Sequence, residues 1–139
     1  MNRPLSTVLL FLLLLSGCKD IQRNDPNDES FDAFFRRFNK DSVFQMSRIN
    51  FPLTVEEFDM DALQPKKITI QRADYHIIDL SYHKSFSERE LDKYSQEVKV
   101  KGDKATIEIR GIDNGIHNDV FFEKVNGQWT LISYTDSST

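Results

Sequence analysis

Hydrophobic positions along the chain follow three different rhythms. Leu5 to Leu15 is an unbroken run of eleven uncharged residues. Phe31, Phe34, Phe35 and Phe38 then recur at i, i+3, i+4 and i+7, a spacing that gathers four rings on one face of a helix. In the last third of the chain apolar and polar residues alternate, the rhythm of half-buried strands. Ser30 stands as an N-cap before the phenylalanines. Asp32 falls in the first turn and Arg36, Arg37 and Lys40 fall in the last, as the helix dipole favours. Together these predict a helix over 31–40.

Ser42-Val-Phe-Gln45 has the form of a capping box and predicts a second short helix over 43–47. Residues 48–58, RINFPLTVEEF, read as a strand whose Pro52 suits a sheet edge. KKITIQR, 66–72, reads as another. Asp74 to Leu80 fits either a strand or a short helix. As a helix it would set Tyr75, Ile78, Asp79 and Tyr82 on one face. Ser87-Glu-Arg-Glu90 is again a capping-box pattern and predicts a helical turn near 88–93.

Three two-residue turns punctuate the alternating part: Gly102-Asp103, Asn114-Gly115 and Asn126-Gly127. Pairing across them sets Val100 opposite Ala105, Val98 opposite Ile107, Ile109 opposite Val120, Ile107 opposite Phe122, Phe122 opposite Leu131 and Lys124 opposite Trp129. Val98, Val100, Ala105, Ile107, Ile109, Val120, Phe122, Trp129 and Leu131 then share one face of a four-stranded antiparallel sheet. A one-residue slip would scatter them. A bulge at Gly111 is the feature that would shift the middle hairpin. The opposite face carries Thr106, Glu108, Arg110, Gln128 and Thr130 beside Phe121, Val125, Ile132 and Tyr134. That apolar patch is a possible homodimer surface through Phe121, Ile132 and Tyr134.

The run from Leu5 to Leu15 is too short to span a bilayer, which takes about 20 apolar residues, and it fits the apolar region of a secretory signal behind Arg3. Leu15-Ser-Gly-Cys18 follows it and resembles the lipobox of bacterial lipoproteins. That resemblance implies cleavage after residue 17 and acylation of Cys18, placing the protein in the cell envelope as an outer-membrane lipoprotein, facing the periplasm or the surface. Lys19-Asp20 partly resembles the signal carried by surface-exposed lipoproteins. Residues 18–29 are polar and read as a flexible tether, leaving 30–139 as one domain. Cys18 is the only cysteine, so a lipidated chain has no free thiol, disulfide or thiolate ligand.

Removing residues 1–17 takes away one basic residue and no acid, moving the net charge from −4 to −5. That balance argues against nucleic acid, whose phosphates call for a basic face. It leaves the acyl group as the link to the membrane.

The succession of two amphipathic helices, a strand, a short helix and a curved antiparallel meander resembles the nuclear-transport-factor-2-like fold. KATIEIRG and DVFFEKVNGQWTLIS carry the likeness in detail, and FDAFFRRFNKDSVFQMSRINFPLTV resembles uncharacterised secreted lipoproteins of the same fold. The resemblance implies an α+β domain with N-terminal helices packed on a curved antiparallel sheet, and a pocket between the two layers. Phe31, Phe34, Phe35, Phe38, Phe122, Trp129 and Leu131 would line that pocket or fill it.

An isomerase- or cyclase-like member would need a carboxylate base and neutral donors there. Tyr75, His76, Asp79 and Tyr82 are the polar candidates, with Asp113, Asn118 and Lys124 toward strand ends. His76, Asp79 and His83 do not have a recognisable metal-ligand spacing, and His117 lies off the core face. The serines and threonines closing the chain read as a solvated tail. No glycine-rich phosphate loop is present, so neither cofactor nor metal is expected. Three functions remain: an anchored module that binds a protein partner or a small apolar ligand, a small enzyme, or a structural accessory of an envelope complex.

Overall fold

The computed structural model describes residues 28–139; the apolar leader, Cys18 and the tether up to residue 27 lie outside the described residues. Two helices, α1 (Phe31–Phe38) and α2 (Ser42–Ser47), precede a six-stranded sheet. Its strands are β1 (Ile49–Asp59), β2 (Gln64–Ile70), β3 (Tyr94–Lys101), β4 (Lys104–Gly111), β5 (His117–Val125) and β6 (Gln128–Asp136). The sheet order is β2-β1-β6-β5-β4-β3. All neighbours are antiparallel except β1 and β6, which run parallel. The expected α+β cone is present: a curved, unclosed sheet with helices against its concave side.

α1 forms where its apolar spacing and caps predict. The Ser30 hydroxyl accepts from the Ala33 N–H, and Phe31, Phe34 and Phe38 are buried. Those rings meet Phe122 edge-on at centroid distances of 5.5, 5.6 and 5.4 Å. Phe31 also meets the Trp129 ring at 5.0 Å, and Phe35 packs against the same cluster from a half-buried position. α2 is capped by Asp41, whose carboxylate accepts from the Phe44 N–H at 2.9 Å, and not by Ser42. The expected capping box is therefore absent, and Gln45 is free for another role.

The domain begins earlier than Ser30. The Glu29 carboxylate takes two hydrogen bonds from Arg48, at 2.8 and 3.1 Å, and one from the Trp129 N–H. The Glu29 carbonyl accepts from the Trp129 indole at 2.9 Å. Asp28 pairs with Lys124. The last two residues assigned to the tether are thus held against the β5–β6 turn.

Pro52 lies inside the sheet, since β1 sits between β2 and β6. The register between β1 and β6 jumps from Ile49 opposite Leu131 to Thr54 opposite Ser133. Pro52 falls in that interruption, where a missing N–H leaves no ladder bond unmade. The turn expected at 88–93 comes earlier, as a 3-10 turn over Lys84–Glu88. The Ser87 hydroxyl donates back to the Lys84 carbonyl, and Arg89 is extended over the Phe86 ring.

The first and third hairpins have the expected register. The middle one is displaced by two residues, so Ile107 faces Val120, Ile109 faces Asn118 and Ala105 faces Phe122. Its connection is a wider loop closed by the Gly111 N–H on the Ile116 carbonyl. The left-handed residue in that loop is Asp113, at φ 57°. The Asn114 side chain folds back over Gly111, where a Cβ would come within 1.9 Å of its Oδ1. A slip of two preserves which face each side chain occupies. Ala105, Ile107, Val120, Phe122, Trp129 and Leu131 are accordingly buried and Ile109 packs on them. Val98 and Val100 share that side but remain exposed on the edge strand.

A bulge at Ile132 has a larger consequence. Phe122 faces Leu131, but Phe121 faces Ser133 and Val120 faces Tyr134. The extra residue inverts the side-chain alternation beyond it. Tyr134 therefore stands on the concave side with Val120, and the expected patch of Phe121, Ile132 and Tyr134 is divided between two faces. The closing residues are also held, because the Ser137 and Thr139 N–H groups donate to the His117 and Gly115 carbonyls.

Phe122 touches four helix rings at once. Phe122→Ala is expected to cost about 3–5 kcal/mol in urea unfolding, the range for losing a buried aromatic side chain. A loss below about 1 kcal/mol would mean that the helix does not rely on this contact.

Candidate functional site

The interior between helices and sheet is where this architecture could hold a ligand, and most of it is occupied by its own side chains. Phe34 and Trp129 are each 1 % exposed, and Phe38 and Leu131 are fully buried. Of the seven residues expected to line or fill the pocket, six are buried and Phe35 is half-buried. They form solid core.

The segment from Tyr75 to His83 crosses the open end as an extended strap with neither helical nor strand pairing. Its backbone groups therefore need other partners, and three amides supply them. Gln45, fully buried, donates through Nε2 to the Phe38 carbonyl at 2.9 Å and to the Ile78 carbonyl at 2.7 Å. Its Oε1 accepts from the Ile78 N–H at 2.9 Å and from the Tyr75 hydroxyl at 3.0 Å. All four hydrogen-bonding capacities of the amide are used. Asn39 Oδ1 accepts from the Leu80 N–H at 2.8 Å, and Gln96 Nε2 donates to the Leu80 carbonyl at 2.9 Å.

Beneath the strap a recess of about 230 Å³ remains. Ile78, Leu80, Ile109 and Val120 make its apolar walls, and Asn118, Tyr134 and Asp136 supply the polar atoms. Ligand pockets for drug-sized molecules hold roughly 300–1,000 Å³, so this recess accepts only something small. Asp136 Oδ1 already accepts from the Ser138 N–H at 3.0 Å. Burial first, and then Asp136 and Glu57, push the Tyr134 hydroxyl above its ordinary value. It stays a neutral donor at physiological pH. A wider hollow of about 560 Å³ lies outside, between α2 and the strap, with Val43, Met46, Arg72 and Ile77 in its lining. It is open to solvent.

The polar candidates named from sequence do not converge. Tyr75 turns inward to Gln45 and meets Phe51 edge-on at 5.5 Å. His76 is exposed. Asp79 is exposed and accepts from the N–H and hydroxyl of Ser81. Tyr82 belongs to a separate aromatic group with Phe86 and Tyr94. An extended strap points alternate side chains to opposite sides, so the shared helical face does not arise. His83 bonds Ser85. Among the described residues no three histidine, cysteine or acidic side chains come together as a metal site. Asp113 pairs with Lys93 in the β4–β5 loop, and Lys124 lies over Trp129. Of the strand-end candidates, only Asn118 reaches the recess.

Sequence reasoning missed Gln45, Asn39, Gln96, Tyr134 and Asp136. The amides carry no signal in a single sequence, because their partners are backbone groups up to 41 positions away. Tyr134 and Asp136 were concealed by the bulge.

Solved structures that resemble this one include three from Bacteroides species. An NTF2-like protein from Bacteroides fragilis matches with a TM-score of 0.58 and 22 % identity over 81 % of this chain. The match takes in 48 % of that protein, so the chain spans about half of its length. A cystatin-like protein from Bacteroides caccae matches at 0.56 and 20 % identity over 78 % of this chain and 76 % of its own. A protein from Bacteroides uniformis, solved by NMR, matches at 0.59 and 23 % identity over 77 % and 76 %. At these identities the likeness concerns the fold, which is NTF2-like. No curated protein matches the chain. The sequence model of DUF4348, a domain of unknown function, matches residues 11–136, and the chain belongs to that family.

The hydrogen bonds joining Gln45 to Phe38, Tyr75 and Ile78 lead to two expectations. Gln45→Leu keeps most of the volume but strands the Phe38 and Ile78 carbonyls, the Ile78 N–H and the Tyr75 hydroxyl. With each unpaired buried group costing about 1–3 kcal/mol, a loss of at least about 3 kcal/mol is expected in urea, with faster amide exchange at Ile78. Unchanged exchange there would show that the strap is held by other means. Burial first, and then Tyr134, raise the Tyr75 hydroxyl far above its ordinary value of 10.0. The folded state thus holds that proton more tightly than the unfolded chain. Stability is fully present below pH 10 and declines as the pH rises beyond it. Tyr75→Phe should flatten part of that decline, and superimposable alkaline unfolding curves would contradict this.

Proposed function

We propose that this DUF4348 chain is a lipid-anchored module of the cell envelope that works by contact with a partner protein. The observation carrying this reading is the filling of the cone by Phe31, Phe34, Phe38, Phe122, Trp129 and Leu131, each buried. A domain whose interior is occupied has its outer surface left for recognition. The small recess and the scattered positions of Tyr75, His76, Asp79 and Tyr82 support the same conclusion.

The anchor reading rests on the order of features in the leader: Arg3, the apolar run, then Leu-Ser-Gly before Cys18. Acyl chains contribute about 0.8 kcal/mol for each buried CH₂, and several together give stable attachment. No helix among the described residues is long and apolar enough to cross a membrane. Residues 19–27 span at most about 32 Å when extended, which sets how far from the bilayer the domain can reach a partner.

Two measurements test the reading. Cys18→Ala should move the protein from the membrane fraction to the soluble one, and unchanged membrane association refutes the anchor. The intact chain, purified from its native membrane after mild cross-linking, should retain a stoichiometric protein partner. A chain that retains none and turns over a small molecule overturns the binding role.

A further inference from the structure

The sheet is unclosed and has two edges, β2 and β3. β2 carries Pro65, Lys66 and Lys67 with no acid, which discourages pairing, whereas β3 carries both charges. β3 is an edge, and its register with β4 determines which backbone groups are free. Lys101 and Lys104 close the two-residue Gly102-Asp103 turn, so they form a hydrogen-bonded pair. Pairs alternate from there. Lys99 and Glu97 turn their N–H and C=O groups toward β4, and Val100, Val98 and Gln96 turn theirs outward. Tyr94 has the same outward parity, and its carbonyl accepts from the Tyr82 hydroxyl at 3.4 Å on that side. The strap thus covers the edge at Tyr94. Among the described residues nothing bonds the outward backbone groups from Gln96 to Val100.

We propose that this free edge pairs antiparallel with the β3 edge of a second copy of the chain, about a two-fold axis through Val98. Charge selects the partner and the register. In this register Glu97 stands opposite the partner's Lys99, and Lys99 opposite the partner's Glu97. The neighbouring registers that preserve the outward hydrogen bonds centre on Glu97 or on Lys99 and oppose like charges, which destabilises a ladder. Lysines along an edge strand ordinarily discourage pairing; the two-fold answers Lys99 with a carboxylate.

The other face agrees. Val98 and Val100 are 45 % and 52 % exposed, and the axis sets Val98 against the partner's Val98, with Val100 beside the partner's Gln96. The single chain also leaves an acid excess for a second lysine to answer. Glu97 faces Glu108 across the ladder, and Glu97, Glu108 and Asp119 share two cations. Lys99 meets Glu97 and Glu108 at 3.4 and 2.7 Å, and Arg110 meets Glu108 and Asp119 at 3.5 and 2.7 Å. Pairing by strand addition lets main-chain hydrogen bonds supply affinity and alternate side chains supply specificity. It depends on neither the lipid anchor nor the partner reading above.

Val98→Cys in the full chain carrying Cys18→Ala tests the geometry, because the introduced thiol is then the only one; the other variants carry the same Cys18→Ala change. Opposed residues in a hydrogen-bonded pair lie about 5.5 Å apart at Cα, within disulfide reach. Copper-catalysed oxidation should yield a covalent homodimer, while Lys101→Cys, off the axis, should not. Glu97→Lys places lysine against the partner's Lys99 at two symmetric points and should lower the Val98→Cys cross-link about tenfold. The same change sets lysine opposite Glu108 within the chain, so thermal stability should not fall. The Glu97→Lys/Lys99→Glu exchange should restore the cross-link. Equal yields at positions 98 and 101, no dimer at either, an adduct to a different protein, or no rescue by the exchange would each overturn the pairing.

Discussion

An eight-residue helix is not stable by itself in water, so α1 exists only because its aromatic stripe is pressed into the sheet. That contact organises the molecule. Phe122 stands at its centre, meeting rings from Phe31, Phe34, Phe35 and Phe38. Trp129 closes the same cluster and passes the constraint outward, since its backbone and indole N–H groups bind Glu29. The start of the domain and the last hairpin are thereby tied through one tryptophan. Filling the cone with aromatic rings also limits what the fold can do, because the volume that another protein of this shape could give to a ligand is taken up by packing.

Where apolar contact ends, amides take over. The strap has no ladder of its own, yet it lies over buried surface, where unpaired backbone groups are expensive. Gln45 resolves this with four hydrogen bonds to three residues, Phe38 at the end of α1 and Tyr75 and Ile78 in the strap. Asn39 and Gln96 serve Leu80 from opposite sides, one from the end of α1 and one from β3. Helix, strap and edge strand are coupled through polar side chains at the rim, and through rings at the centre. Burial shifts the Tyr75 and Tyr134 hydroxyls the same way, although Tyr75 borders the outer hollow and Tyr134 the recess.

Local chemistry accounts for much of what could be read in advance. The helix dictated by Phe31, Phe34, Phe35 and Phe38 is there, with Ser30 as its cap, because spacing and capping are properties of neighbouring residues. The hairpins at Gly102-Asp103 and Asn126-Gly127 are in register because two-residue turns impose it. The core face was legible even though the middle hairpin slipped, since a shift of two leaves each side chain on its side. Failures cluster where a distant group intervened. Asn114-Gly115 is not a two-residue turn, because the Asn114 side chain bonds the Lys93 carbonyl and the loop opens around it. The capping miss is a local exception: Asp41, the residue before Ser42, is the cap instead. Pro52 sits mid-sheet because the ladder is already interrupted there.

The amino-acid sequence by itself determined the α+β class, the aromatic helix, the four-stranded meander and the identity of its buried face. Each follows from periodicity and turn chemistry within a few residues. Tertiary structure alone decided that β1 joins β6 in parallel, that the strap is neither helix nor strand, and that Tyr134 and Asp136 face the recess while His76 and Asp79 face solvent. The physical reason is the same throughout. A bulge, a buried amide or a sheet edge takes its meaning from groups tens of residues away, and those meet only when the chain has folded.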